Sequence, residues 1–509
     1  MTRATLPNLG SLGVLRDPPA HEIDPSALSD GLNLRMRDGC AERIVGEAQV
    51  FTTPAVTPYW VGLYATPLAR YVVHAGTAAV YADDGATRAN ITGSALNGVV
   101  DNRFSGGVLG GVLVLNNGVD KPRYWGGSGS LADLPAWGAT WKCAVMRAHK
   151  NYLIALDVTK GATRYPHMVK WSSAADPGTV PASWNEADPA VDAGELDLAE
   201  TGDRMIDALP LGDSLVIYKG ASMYAMTYIG GAYIWQFRRL PGESGMLATG
   251  CGCLTPAGHL VLTAGDVVLH NGAGVRSILS GKMRRWLFSQ IDTSHYARSF
   301  VVSNPALDEA WVCFPSNGAI ACDRALIWNW KDDTLSVREL NAATYACSGQ
   351  FDASADPSWA GDAAAWSADA TTWSQSDMPP QQARLLISSA APKLLVADSG
   401  NTFAGAAYTA RAERLGLAFG APERVKLVRS IVPRIDGATG EQVQIQVGGA
   451  MDVEGPYTWS DPVAHTIGTS YKTDLMATGR FLAWRVQSTG SFSWRIRSID
   501  LDIVQQGAY

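Results

Sequence analysis

The feature that most constrains the fold of this sequence is a pattern of short strands that occurs six times. Each copy holds a hydrophobic run, a turn rich in Gly, Asn or Asp, and a second hydrophobic run. The copies are spaced 41, 40, 62, 45 and 51 residues apart and begin at Arg70, Gly111, Asn151, Asp213, Gly258 and Glu309. A repeat of about 40–50 residues with three or four strands is typical of a β-propeller blade. A series of β-sandwich domains is the alternative, but its strands would not repeat one sequence pattern at such regular intervals.

One copy shows the pattern at residue level. In ACDRALIWNWKDDTLSVREL (residues 321–340), Leu326, Trp328 and Trp330 fall on one face of an extended chain, because side chains alternate along a strand. A polar turn follows, and the alternation then resumes. The stretch predicts a hairpin in the outer part of a blade, with its tryptophans packed between blades.

Composition favours a large folded core over nucleic-acid binding. Of the 509 residues, 47% are hydrophobic and 17% are charged, which argues against extensive disorder. The formal net charge is −7, whereas a tight grip on nucleic acid needs a basic surface. A protein past which nucleic acid only slides would tolerate a mildly acidic wall.

The cysteines and the hydropathy pattern bear on the compartment. Seven cysteines are scattered without a C-x-x-C pair, which favours buried free thiols formed in a reducing cytoplasm. The start MTRATLPNLG lacks the apolar core of a signal peptide, so we expect assembly in the cytoplasm. No apolar run is long enough for a membrane span, so we expect no membrane-spanning segment.

The two ends of the chain differ from the repeats. Pro18, Pro19 and Pro25 keep an N-terminal arm extended. The alternating stretches near the C-terminus predict a separate β-sandwich-like module, on which Arg485, Arg495 and Arg497 form either a solvated face or a binding patch. The fold class is therefore all-β: a β-propeller-like ring of blades with an extended N-terminal arm and a C-terminal β-sandwich-like module. The expected parts are the arm (1–60), the blades (61–353), a Trp-rich excursion loop with a return strand (354–399) and the all-β module (400–509).

The excursion loop carries the candidate contact residues. Trp359, Trp366 and Trp373 are spaced seven apart in a background of Ala, Ser, Asp and Thr. A heptad helix would give this spacing, but three tryptophans in such a background make a poor coiled coil. We expect a long loop whose tryptophans either anchor a subunit or partner contact or fill a crevice on their own chain.

Motifs of catalysis are missing from the sequence. It holds no phosphate-binding loop and no dinucleotide fingerprint, and the segment 242–246 ends in Met246 where a nucleophile elbow needs Gly. The eight histidines form no H-x-x-x-H or H-x-H pair. We expect no catalytic residue, cofactor or metal site. A near match to the Asp-box of propeller sialidases, between Ser367 and Trp373, lacks its glycine and is one residue short.

Four stretches carry a resemblance to a known family. They are PPAHEIDPSALSDGLNLRMRDGCAERIVG, with its Asn-x-Arg strand, TPAGHLVLTAGDVVLHNGAGVRSIL, EAWVCFPSNGAIACDRALIWNWKDDTLSVREL and TGRFLAWRVQSTGSFSWRIRSIDLDIVQQGAY. Together they resemble the tail nozzle or tail hub proteins of short-tailed bacteriophages, which are also called tail tubular or tail accessory proteins. The resemblance spans most of the chain through loose phrases.

The resemblance implies a structural virion protein and no enzyme. Such proteins assemble in the host cytoplasm as a ring, commonly of six copies, in the virion tail below the portal and adaptor proteins. The ring extends the DNA exit channel, so viral DNA is a partner only in transit, and it holds tail fibres or tailspikes outside. The alternatives are a carbohydrate-binding or glycoside-cleaving β-propeller, which predicts binding of free sugar, and a host intracellular scaffold, which predicts neither ring nor particle.

Overall fold

The protein is almost entirely β-sheet. A computed structural model describes residues 2–67, 69–231, 233–351 and 383–508. These residues hold 39 strands, one α-helix and two 3-10 helices. The strands form a propeller of seven four-stranded blades and, beside it, a sandwich of two sheets.

The N-terminal arm supplies five short strands to sheets built elsewhere in the chain. They are β1 (Thr2–Leu6), β2 (Asp30–Leu32), β3 (Leu34–Arg37), β4 (Cys40–Arg43) and β5 (Glu47–Gln49). The first four join the sandwich, and β5 joins the last blade.

Blades 1 to 5 are antiparallel meanders of four consecutive strands. Blade 1 consists of β6 (Trp60–Ala65), β7 (Arg70–Ala75), β8 (Val80–Asp83) and β9 (Arg88–Asn90). Blade 2 consists of β10 (Ser105–Leu109), β11 (Val112–Asn116), β12 (Arg123–Trp125) and β13 (Ala132–Asp133). Blade 3 consists of β14 (Trp141–His149), β15 (Tyr152–Lys160), β16 (Thr163–Trp171) and β17 (Gly194–Asp197). Blade 4 consists of β18 (Met205–Leu211), β19 (Ser214–Lys219), β20 (Met223–Tyr228) and β21 (Trp235–Arg239). Blade 5 consists of β22 (Gly252–Thr255), β23 (Gly258–Leu262), β24 (Val267–His270) and β25 (Val275–Ser277).

Blades 6 and 7 share one long strand. After helix α1 (Arg284–Gln290) and the 3-10 turn Tyr296–Arg298, blade 6 is built by the strands β26 (Phe300–Asn304), β27 (Glu309–Phe314), β28 (Cys322–Asn329) and β29 (Thr334–Gly349). The second half of β29 is the first strand of blade 7. Blade 7 continues through β30 (Arg384–Ser389) and β31 (Lys393–Ala397) and ends on β5 from the arm.

Apolar side chains between neighbouring blades hold the propeller together. The second strands β11 and β23 are buried along their whole length, which explains their unbroken hydrophobic runs. One cluster joins blades 1 and 2, and Val61 and Val72 of blade 1 pack on Leu386 and Val396 of blade 7. The ring is therefore closed between its first and last blades.

The sandwich completes the chain and takes strands from both ends. Its C-terminal strands are β32 (Ala410–Leu417), β33 (Arg424–Gly437), β34 (Gln442–Ala450), β35 (Thr458–Trp459), β36 (Val463–Thr466), β37 (Thr473–Gly479), β38 (Phe481–Ser488) and β39 (Trp494–Ala508). One sheet has the order β3-β4-β39-β33-β37 with β1 also on β39, and the other has the order β2-β32-β38-β34, with β35 and β36 both on β34.

The propeller and the sandwich share one hydrophobic core. Trp328 and Leu335 of blade 6 belong to the same buried cluster as Val14 of the arm and Trp484 and Ile496 of the sandwich. The hairpin expected over residues 321–340 forms between β28 and β29 in the outer part of blade 6. The cluster that contains Trp328 also includes Leu262 and Val267 of the neighbouring blade 5.

The strands cross the boundaries expected from sequence in two places. The segment 1–60 is divided between both modules, and two strands of blade 7 lie at residues 384–397, where we expected only a return strand. A sheet edge left open exposes unpaired backbone groups, and strands from distant parts of the chain cover these edges. The residues 352–382, which include Trp359, Trp366 and Trp373, lie outside the described residues.

Candidate functional site

One arginine links blades on different sides of the propeller ring. Arg103 precedes the first strand of blade 2, and its guanidinium donates hydrogen bonds to the carbonyl oxygens of Thr249 (2.8 Å), Ser299 (2.9 Å), Arg298 (2.9 Å) and Thr344 (3.4 Å). These acceptors belong to the inner parts of blades 5, 6 and 7. One side chain thus ties blade 2 to the opposite side of the ring.

Two cavities meet at this arginine. A cavity of about 480 Å³ is lined by Arg103 together with Lys142, Asp157, Arg164 and Arg204, and a second cavity of about 240 Å³ is also lined by Arg103. Asp157 is paired with Arg164 at 2.5 Å, whereas Lys142 and Arg204 are exposed. The larger cavity, which we call the axial cavity, is therefore a polar pocket with a basic lining.

A second ion pair links the inner strands beside the axis. Arg147 of blade 3 binds Asp207 of blade 4 through two hydrogen bonds of 2.8 Å, and Asp207 also accepts the backbone N–H of Gly250. Burial alone would lower the pKa of Arg147, but the carboxylate of Asp207 raises it. These contacts fix the inner strands and leave no free nucleophile or acid at this position.

A larger cleft lies between the propeller and the sandwich. It has a volume of about 600 Å³ and is lined by strands β3 and β4, by the start of β39, by the turn after the first strand of blade 6, and by strands β30 and β31 of blade 7. Five arginines and three carboxylates line this cleft, namely Arg35, Arg37, Arg43, Arg384, Arg495, Glu42, Asp398 and Asp436. We call it the junction cleft.

Arg35 fastens the two modules to each other at the cleft. Its guanidinium binds both carboxylate oxygens of Glu309 in blade 6 and lies 2.8 Å from Asp398 at the end of blade 7. The Arg35 and Glu309 side chains are only 5% and 1% exposed. Burial alone would lower the pKa of Arg35, but the two carboxylates raise it, so the arginine stays charged.

One neighbouring contact reinforces the same junction, and another fixes strand β5 within the propeller. Asn33 donates to a carboxylate oxygen of Glu339 at 2.8 Å and accepts the backbone N–H of the same residue. Arg338 binds Glu47 of the closing strand β5 at 2.7 Å, and both side chains are buried. Asn33 and Arg35 are the Asn-x-Arg pair noted in the sequence, and they join the arm to the propeller.

Arg43 is the unusual arginine of the cleft. It is 3% exposed, and its guanidinium donates to the carbonyl oxygens of Phe492 (2.8 Å) and Asn401 (3.3 Å) and lies 4.0 Å from the centre of the Tyr408 ring. No carboxylate of the described chain lies within 4 Å of it, and its Nε lacks a hydrogen-bond partner there. Burial lowers its pKa. The wall of the cleft therefore holds a cation without a counterion.

The acidic lining offsets this charge only in part. Burial raises the pKa of Glu42, although nearby arginines oppose the effect. Asp436 is shared by Arg495 (3.3 Å) and Arg497 (2.8 Å). Arg485, which we had grouped with these two arginines, instead binds Glu413 on the other sheet. Of the three, only Arg495 lines the cleft.

A buried polar cluster lies between blades 4 and 5. The hydroxyl of Tyr218 lies 2.8 Å from Nδ1 of His259 and 3.2 Å from Nδ1 of His270, and Nε2 of His259 lies 2.8 Å from the carbonyl of Pro210. Burial lowers the pKa of His259 to about 4 and also lowers that of His270. Both histidines are neutral at pH 7, and the cluster works as a packing element.

The cysteines are free thiols, and most of them are buried. All seven cysteines are free, and six of them are buried. Burial raises the pKa of the Cys251 and Cys253 thiols to about 12, so neither is a thiolate at neutral pH. Among the described residues, no group of three His, Cys, Asp or Glu side chains is placed to hold a metal ion. No helix in this part of the chain is long and apolar enough to cross a membrane.

Sequence reasoning did not identify Arg103 or Arg43. Each is a single arginine whose partners are backbone carbonyls from distant parts of the chain, and no local pattern marks such a role. The predicted contact residues Trp359, Trp366 and Trp373 stay a prediction, because they lie outside the part of the chain that the structure describes.

Comparison with known proteins gives similarity of architecture alone. No family model and no curated protein matches the sequence. The computationally designed Ika8 protein is similar at 9% identity and a TM-score of 0.36, over 69% of this chain and 99% of that one. PorZ, a surface component of the type-IX secretion system of Porphyromonas gingivalis, is similar at 9% identity and a TM-score of 0.36, over 76% of this chain and 44% of that one. The AfRom2 CNH domain is similar at 8% identity and a TM-score of 0.35, over 70% of this chain and 98% of that one. Structural similarity with such low identity and TM-score gives no information about activity or partners.

Proposed function

We propose that this chain is a structural protein of a short-tailed bacteriophage and forms, with copies of itself, the ring-shaped nozzle or hub of the tail. The ring, of six copies, lies in the virion tail below the portal and adaptor proteins and carries tail fibres or tailspikes. Viral DNA passes through the channel enclosed by the copies. The chain is not an enzyme in this proposal, and it assembles in the host cytoplasm.

The observation that carries the proposal is the way in which the two modules are fused into one body. Strands from the arm belong to both modules, a single apolar core spans them, and the buried pair of Arg35 with Glu309 connects them. Breaking a buried ion pair costs about 3–5 kcal/mol, so relative motion of the modules is strongly opposed. Such rigidity suits a part that must keep its shape under load.

The shape of the ring also bears on the proposal. Within one subunit, Arg103 at the start of blade 2 binds carbonyl oxygens of blades 5, 6 and 7 and so braces the propeller across its ring. In the proposed nozzle, the conduit for DNA lies between copies of the chain. Contacts in such a ring are heterologous, with one surface of a subunit meeting a different surface of its neighbour. The net charge of −7 suits a wall that DNA slides past.

Two measurements on the full chain test the proposal. Light scattering and negative-stain electron microscopy of the purified protein should show closed rings, either alone or after mixing with portal and adaptor proteins. Gold-labelled antibody should mark a single vertex of each phage particle from the source lysate. Unlabelled particles, with an antibody that recognises denatured particle proteins, would overturn the proposal. Saturable binding of free sugar by such a chain would favour the carbohydrate-binding alternative.

A further inference from the structure

The junction cleft has the features of a binding site that the structural role does not use. Its volume of about 600 Å³ is in the range of pockets that hold small ligands. It lies between two modules, a position where ligand sites are common. The contacts of Arg35 already fasten the modules together beside it. Arg37, Arg43 and Arg495 also line the cleft and take no part in those ion pairs.

Arg43 indicates the charge of the ligand. A buried cation is costly unless an opposite charge or hydrogen bonds compensate it. Arg43 has two carbonyl acceptors and the face of Tyr408, but no carboxylate of the described chain within 4 Å. An anion in the cleft would supply the missing counterion.

Two further arginines extend this basic surface to the open side of the cleft. Arg37 is 56% exposed and lies 3.9 Å from a carboxylate oxygen of Asp38, its neighbour in sequence. Arg495 is 45% exposed and shares Asp436 with Arg497. An arginine guanidinium matches the geometry of carboxylate and phosphate groups, to which it can donate two parallel hydrogen bonds.

We propose that the junction cleft binds an anionic ligand that carries carboxylate or phosphate groups, through Arg37, Arg43 and Arg495. Arg43 forms the buried end of the site, and the two exposed arginines select for more than one negative group. The proposal is independent of the structural role, because it concerns the cleft within one subunit.

Calorimetric titration of the full chain with citrate, inorganic phosphate and an aspartate decapeptide tests the proposal and separates the sources of the anionic group. At low ionic strength we expect saturable binding of at least one probe with one site per chain, together with a rise in melting temperature. Tighter binding of citrate would indicate a small polycarboxylate, tighter binding of phosphate would indicate a phosphate compound, and tighter binding of the peptide would indicate an acidic protein segment.

Variants locate the site. The double substitution Arg37→Ala and Arg495→Ala removes exposed side chains, so the fold should survive, and we expect affinity to fall about tenfold or more, equivalent to 1.4 kcal/mol or more. Arg43→Lys keeps the charge but loses the planar guanidinium, and it should weaken phosphate binding as well. Arg429→Ala is the matched control, since Arg429 is an exposed sandwich residue outside the cleft lining. Absence of saturable binding by all three probes, or an equal loss in the Arg429 control, would overturn the proposal.

Discussion

Replacing Arg103 by alanine should destabilise the propeller more than any other single change at its axis. The guanidinium holds carbonyl oxygens of blades 5, 6 and 7 from a position at the start of blade 2, and it lies 4.9 Å from the centre of the Tyr345 ring. The substitution would remove these contacts together and would join the axial cavity to the smaller cavity, because Arg103 lines both.

The size of the effect follows from the contacts. Three of the hydrogen bonds are 2.8 to 2.9 Å long, and the fourth is 3.4 Å long. Each short hydrogen bond contributes about 1 kcal/mol net to the free energy of unfolding. This contribution is small for a charged donor, because water can enter the space left by the substitution and solvate the carbonyl oxygens. The contact with Tyr345 adds about 0.5–1 kcal/mol. We therefore expect a loss of about 4 kcal/mol in the free energy of unfolding.

Urea unfolding followed by tryptophan fluorescence measures this loss, as a shift of the transition midpoint at an unchanged slope. Arg204→Ala is the control, because Arg204 is an exposed arginine of the axial cavity, and we expect it to change stability by less than about 0.5 kcal/mol. Arg103→Lys should give an intermediate loss, since one ammonium group cannot reach all the acceptors. A loss below about 1 kcal/mol for Arg103→Ala would refute the view that the axis depends on this side chain.

Three further predictions concern the junction and the buried histidines. Arg35→Ala should cost about 3–5 kcal/mol in urea unfolding, because it leaves the buried carboxylate of Glu309 with its charge uncompensated, and a change below about 1 kcal/mol would contradict this. Gly13→Ala should lower the free energy of unfolding by about 2 kcal/mol and speed proteolysis of the arm. Gly13 has φ +71°, and an added Cβ would lie 2.7 Å from the backbone of Leu335. An unchanged cleavage rate would contradict this prediction. His259 has a folded pKa of about 4, below its ordinary value of 6.5, so the unfolded chain binds the proton more tightly. The free energy of unfolding should therefore fall by about 3 kcal/mol as the pH drops from 6.5 to 4. A His259→Gln variant with the same pH dependence would contradict this.

The repeat in the sequence predicted the propeller because it marks one structural position. The six starts of the repeated pattern coincide with the second strands of blades 1 to 6, from β7 at Arg70 to β27 at Glu309. These strands are buried on both faces, so their hydrophobic runs are long and easily recognised. The seventh copy, β30 at Arg384, escaped notice because residues 352–382 separate it from the first strand of its blade.

The edge strands could not be predicted from local sequence. β5 has three residues, and its place in blade 7 depends on pairing with β31, some 350 residues away in the chain. The first four strands of the arm likewise find their partners in the sandwich. Pairing of this kind is decided by closing a sheet edge and not by the residues of the strand itself. For the same reason, the alternating pattern showed that Arg485, Arg495 and Arg497 lie on strand faces, but it could not show that they belong to two different sheets.

The pairing of β1 with β39 has a consequence for synthesis of the protein. Thr2 to Leu6 lie opposite Ile499 to Ile503, so β1 can pair only after β39 has emerged from the ribosome. The hydrogen bond from Arg3 to Asp500 can likewise form only after β39 has been made. The blades can form one after another during translation, whereas the arm must stay uncommitted until the sandwich is complete. The sheet that contains β1 is therefore completed only after both modules have been synthesised.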